Sequence, residues 1–175
     1  MKKIIFIIVL IVISFILYVN VNASVIIPKD AIRVRVVPNS DSVYDQNIKD
    51  KVKKYVSNYM SIKLKDVYSV KKARKIINDS IPELEEDIQN IFNNNTYDED
   101  FKIIFGDNYF PDKVYKGVIY NEGDYESLVI YIGEAKGDNW WCVLFPPLCL
   151  LEASESETGE VEYRSIVRDI IDKIF

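Results

Sequence analysis

Residues 31–45 read Ala-Ile-Arg-Val-Arg-Val-Val-Pro-Asn-Ser-Asp-Ser-Val-Tyr-Asp, and the change of rhythm within them sets the fold class. Ile32, Val34 and Val36 alternate with Arg33 and Arg35, the period of a half-buried strand over Ala31–Pro38. Asn39-Ser40-Asp41-Ser42 stops that strand. Ser42, followed three residues on by Asp45, has the spacing of a capping box with Asp in place of Glu, so a helix is expected to start there. Ile48, Val52, Tyr55, Val56, Tyr59 and Ile62 then fall on one helical face.

Further along, a second helix is expected after Ser69, burying Val70, Ala73 and Ile77. Pro82 would clash inside a helix but is tolerated in a first turn. With Ser80 and Glu83 at capping-box spacing around it, a break near Ser80 should precede a third helix carrying Leu84, Ile88, Ile91 and Phe92, ended by Asn93-Asn94-Asn95. From Asp98 the period becomes two. Phe101, Ile103 and Phe105 mark one strand, Val114–Tyr120 a second, and Tyr125–Ile132 a third after the turn Asn121-Glu122-Gly123-Asp124. The third is apolar on both faces and should lie centrally in the sheet. Trp140–Phe145 adds a further strand, ended by Pro146-Pro147; the acidic stretch Glu152–Glu162 is a loop, and Val161, Ile166, Val167, Ile170, Ile171 and Ile174 suit a closing helix. The expectation is one α+β domain over residues 24–175: an N-terminal strand, a helical block, a mainly antiparallel sheet and a C-terminal helix.

Ahead of the domain, Met1-Lys2-Lys3 is a basic start, and Ile4–Val19 is an apolar run interrupted only by Ser14 and Tyr18. Val21 and Ala23 suit the small-residue positions of a cleavage site. The run is somewhat short against the roughly 20 apolar residues of a spanning helix. An export signal over residues 1–23, cut after Ala23, is the preferred reading. The alternative is an uncleaved anchor helix, through which the chain would contact the membrane. Either one puts residues 24–175 outside the cytoplasmic membrane.

Charge and composition narrow the function. There are 22 basic and 27 acidic residues, net −5, so no nucleic-acid partner is expected. The lysines between Lys49 and Lys75 are interspersed with Asp50, Asp66 and apolar residues, the pattern of a solvated helix side. The chain has no histidine, which removes Ser-His-Asp and Cys-His nucleophiles and the usual zinc sets. Neither a P-loop nor a dinucleotide fingerprint is present. No catalytic set, metal site, cofactor or small-molecule substrate is expected. The enzyme alternative is a secreted hydrolase using a carboxylate pair. Ser40, Asp41, Ser42 and Asp45 could bind a hard cation, but turn and cap duty explains them more simply.

Binding has a better candidate. Gly133–Cys149 holds both tryptophans, both cysteines and a Pro-Pro pair, and Gly133 and Gly137 permit tight turns with positive φ. Tryptophan is enriched at binding hot spots because it removes much apolar area from water and still offers an N–H. Trp140 and Trp141 should point to opposite faces of their strand, one into the core and the other to a surface or groove. Trp140, Trp141, Phe145, Pro146 and Pro147 are therefore the first candidate contact or loop-shaping surface, and Asn39, Ser40 and Asp41 the second. Core packing and capping are the competing explanations. Cys142 and Cys149 read either as a local disulfide, the preferred option in an oxidising location, or as two buried thiols.

The run Gly-Asp-Asn-Trp-Trp-Cys-Val-Leu-Phe-Pro-Pro-Leu-Cys over residues 137–149 resembles the stage II sporulation protein R family. Residues 32–46 are similar to its first strand and the start of its helix. Phe110-Pro111-Asp112-Lys113-Val114-Tyr115 matches its FP-x-K-x-Y pattern, and residues 123–128 and 132–134 its G-x-Y-x-x-L and IGE elements. Two positions depart: Ala135 stands where relatives often have glycine, and Pro38 where many have a small residue. The Ala135 departure weakens the case for a positive-φ turn there. The resemblance implies a ligand without turnover of its own, made in the forespore and exported into the space between the two membranes of the sporulating cell. There it would activate a membrane-embedded aspartic protease, which processes the precursor of an early mother-cell sigma factor.

Overall fold

The computed structural model describes residues 11, 25–26, 30–115 and 118–146, with backbone alone at 25–26, 113–115 and 118–120. The leader apart from Ile11, the acidic loop and the closing helix lie outside the described residues. Three helices and two sheets are described: β1 (Val25–Ile26), β2 (Ile32–Val37), α1 (Val43–Leu64), α2 (Val70–Asp79), α3 (Ile81–Asn94), β3 (Phe101–Phe110), β4 (Lys113–Tyr115), β5 (Val118–Tyr120), β6 (Gly123–Ile132) and β7 (Trp140–Phe145). The domain is α+β. Among the described residues no helix is long and apolar enough to cross a membrane.

The main sheet is four-stranded and mixed, in the order β3-β6-β2-β7. β6 is antiparallel to β3 and parallel to β2, while β7 closes the other edge antiparallel to β2. The doubly apolar strand is thus central, because only an inner position lets both of its faces leave water. Cross-strand rows follow from the register. On one face Phe105, Leu128, Val34 and Cys142 line up, and beside them Ile103, Ile130, Val36 and Trp140. This face packs on the helices through one core that includes Ile48, Val52, Val56, Met60 and Leu64 of α1, Ala73 and Ile77 of α2, and Leu84, Ile88 and Phe92 of α3.

Four local expectations change. In place of one strand over Val114–Tyr120 there are two short ones, β4 and β5, which pair with each other, and β5 pairs with β1, in a separate three-stranded sheet. The Arg face of β2 is not its wet side: Arg33 is 1% exposed, Arg35 is half-buried, and Val129 and Val143 on the same face are buried. On α1, Met60 and Leu64 complete the buried stripe, whereas Ile62 is 76% exposed and Tyr55 and Tyr59 only half-buried. Ser80 does not cap α3. Its hydroxyl donates back to the Ile76 carbonyl at 2.8 Å, closing α2, while its own backbone is helical (φ −85°, ψ −12°). The break is therefore a single residue, and Glu83 is left to accept hydrogen bonds from Tyr59 and Lys63 instead.

Candidate partner-binding site

The N-terminus of α1 is organised around one buried carboxylate. The Ser42 hydroxyl accepts from the Asp45 N–H at 3.1 Å, the expected half of a capping box. The reciprocal half is absent. Asp is one methylene shorter than Glu, and its carboxylate instead accepts from Ser40 Oγ (2.5 Å), Tyr97 Oη (2.6 Å) and Asn39 Nδ2 (3.3 Å). Burial by itself would raise the carboxyl's pKa, but the donors Ser40, Tyr97, Ser42 and Asn39 outweigh it and hold Asp45 below the ordinary aspartate value. A general acid needs the opposite shift.

The β6–β7 loop closes onto this same segment. Asn39 Oδ1 accepts from the Glu134 N–H at 2.8 Å and Asp41 Oδ1 from the Asp138 N–H at 2.6 Å. The Lys136 and Gly137 N–H groups donate to the Asn39 and Pro38 carbonyls at 3.1 and 3.2 Å. Asn39 and Asp41 therefore bond to the loop that leads into β7, and Ser40 to Asp45, with Asp41 still exposed and the other two half-buried. Gly133 takes φ +53° and has Asn39 against it, the positive-φ turn that was expected there. Ala135 also takes φ +53°, so the turn keeps the left-handed shape although alanine pays a steric penalty there. Replacing Ala135 with glycine is expected to raise stability by about 0.5–1 kcal/mol, readable as a higher thermal midpoint. An unchanged or lower midpoint would show that the turn is not strained.

β7 then presents its tryptophans to opposite faces, as the alternation requires. Trp140 packs against the helical core and lies under Lys53, whose Nζ is 5.2 Å from its ring centre. Trp141 lies on the other face opposite Arg35, edge-on to Phe110 at 5.4 Å and 76°. Both rings are half-buried. Phe145 is 0% exposed, so it shapes the strand end by packing and has no surface for a partner. Pro146 is buried as well, and Pro147 lies outside the described residues. Cys142 is disulfide-bonded, and Cys149, the chain's other cysteine, is outside the described residues.

Around Trp141 the structure assembles residues that were not singled out from sequence. The Arg33 guanidinium carbon sits 3.4 Å from the Tyr125 ring centre and 5.1 Å from that of Phe110. Arg35 is likewise 5.1 Å from Phe110, and it donates to the Tyr131 hydroxyl at 3.2 Å. Desolvated cation–π contacts of this kind contribute up to about 2 kcal/mol each. The only sequence signal was that Arg33, Phe110, Tyr125 and Trp141 all lie in the four stretches that carried the resemblance. Their separation along the chain hid the cluster. Among the described residues no group of three or more metal-ligating side chains converges.

Residues 28–155 match the family model described as stage II sporulation protein R, a span that contains both assemblies just described. The chain belongs to the stage II sporulation protein R family. Stage II sporulation protein R of Bacillus subtilis (strain 168) is 37% identical over 136 residues, which are 78% of this chain. The aligned region covers 61% of that relative's length. No solved structure matches the chain. Membership places this stage II sporulation protein R-like domain in sporulation.

Proposed function

We propose that the chain is an exported sporulation signal that activates a membrane-embedded aspartic protease, which then processes the precursor of an early mother-cell sigma factor. It acts as a ligand and carries out no reaction itself. The single observation that carries this reading is the family match over residues 28–155, which includes the whole Trp140–Phe145 strand and the segment that braces it. The leader supports export into the space between the two membranes. Activation by binding requires tighter association with the active receptor state than with the resting one, since only differential affinity shifts a population. The half-buried Trp141 edge, backed by Phe110 and two arginines, is a pre-formed surface that could supply it.

The test is reconstitution. Residues 24–175 are added to membranes holding the candidate receptor protease and its precursor, and precursor cleavage is followed. Cleavage should depend on the added protein. Trp141→Ala, confirmed as folded by circular dichroism, should weaken activation about thirtyfold, the effect of losing a hot spot of about 2 kcal/mol. Cleavage independent of the added protein, with a competent receptor, would refute the signalling role. Full activity of a folded Trp141→Ala protein would move the contact elsewhere on the domain.

A further inference from the structure

On the helical side of the domain, along a stretch of α1 whose groove neither tryptophan lines, α1 has a wider apolar arc than the core uses. Ile48, Val52, Val56, Met60 and Leu64 are buried, but Tyr55, Tyr59 and Ile62 lie beside that stripe and face an open groove between α1 and α3. The groove encloses about 600 Å³, and Ile91 of α3 forms part of its lining. The tyrosines are held in place: Tyr55 donates to Asp87 and Tyr59 to Glu83, both on α3. Ile62 remains 76% exposed, an apolar side chain with no use in the isolated domain.

The charges at the rim are uneven. Glu83 and Asp87 already accept from the tyrosines, and Lys63 is paired with Glu83 at 3.3 Å. Lys51, by contrast, meets only the neutral Asn95 side chain, and neither it nor Lys54 makes an ion pair among the described residues. In a chain of net charge −5, this leaves two cations beside an apolar floor.

We propose that this groove docks an amphipathic helix of a partner protein, one that sets apolar residues on the Tyr55–Tyr59–Ile62 floor and carboxylates against Lys51 and Lys54. The stripe from Lys51 to Ile62 is about 16 Å long, room for about three helical turns. An apolar floor that includes two hydrogen-bonded tyrosines suits a helix laid in a groove, and the preset tyrosines reduce the ordering cost of binding. The inference does not depend on the signalling role, since it concerns a different surface and is read out by binding alone.

The test uses the full chain in mild detergent and a fluorescein-labelled, 18-residue designed helix with leucines on one face and glutamates beside them. A second peptide carries lysine in place of every glutamate. The glutamate peptide should bind saturably and at least about tenfold more tightly than the lysine peptide. Ile62→Asp should weaken it about tenfold or more, and the double variant Lys51→Glu/Lys54→Glu should invert the preference between the peptides. These residues are exposed, so melting of the variants should match the parent. No saturable binding, equal affinity for both peptides, or indifference to the two variants would overturn the proposal. A dimer of the parent that Ile62→Asp dissociates in sedimentation would overturn it too, by making a second copy the occupant.

Discussion

Replacing Asp45 with alanine is expected to destabilise the domain by about 3 kcal/mol, the scale for stripping the acceptor from several partly buried donors at once. The residue is 6% exposed, and its carboxylate receives Ser40, Tyr97 and Asn39. Without it the Tyr97 hydroxyl loses its partner inside a cluster of rings, edge-on to Phe92 at 4.9 Å and to Tyr44 at 5.5 Å. The start of α1 also loses a negative charge in its first turn, where the helix dipole favours one. Denaturant unfolding measures the loss. A change under about 1 kcal/mol would mean the cluster rearranges and finds other acceptors.

The same group gives a signed pH dependence. Its folded pKa lies below the ordinary value of 3.8. The stabilisation is therefore fully present above the unfolded pKa and is lost as pH falls through that value towards the folded one. Between about pH 5 and 3 the parent should lose more stability than Asp45→Asn, which cannot titrate. Parallel curves for the two proteins would deny Asp45 this role.

Gly137→Ala is the second large effect expected, a loss of about 2–3 kcal/mol. A Cβ on Gly137 would lie 2.2 Å from the Ser40 carbonyl oxygen and 2.4 Å from its carbon. Both are backbone atoms, so no rotamer change relieves the clash. The β6–β7 loop would have to lift from Pro38–Asp41 and give up the bonds from Lys136, Gly137 and Asp138. Gly106→Ala is the control, because a Cβ there meets nothing within 4 Å. It should change stability by less than about 0.5 kcal/mol. Equal effects of the two substitutions would show that the loop does not depend on this close approach. Because Trp140 follows three residues later, the Gly137 variant should also weaken activation in the reconstitution assay.

Much of this architecture was legible from short-range pattern. The helix start at Ser42, the central place of β6, the opposite facing of Trp140 and Trp141 and the positive φ at Gly133 each follow from spacing or from one residue's conformational limits. Spacing also misled where two outcomes share one pattern. Ser80-x-x-Glu83 has the letters of a capping box, yet the hydroxyl finds the preceding helix's carbonyl closer, since Ser80 itself stays helical. Ile62 has the phase of a core residue but lies beside the buried stripe, where the sheet does not reach.

The sequence by itself determined the order and kind of the three helices and of the four strands of the main sheet, because period, caps and turn residues act over a few neighbours. Tertiary structure alone decided what the polar positions do. Arg33 and Arg35 alternate as if to face water, and only the arrival of Phe110, Tyr125, Tyr131 and Trp141 from distant strands turns that face into a cation–aromatic layer, buried at Arg33, Phe110 and Tyr125 and half-buried at the rest. Asn39 and Asp41 read as turn residues, and only the β6–β7 loop, 95 residues away in the Asn39–Glu134 pair, supplies the N–H groups they bind, while Ser40 turns to Asp45. A donor or a ring has no preferred partner until folding brings one within contact range, and contacts across such separations leave no period in the chain.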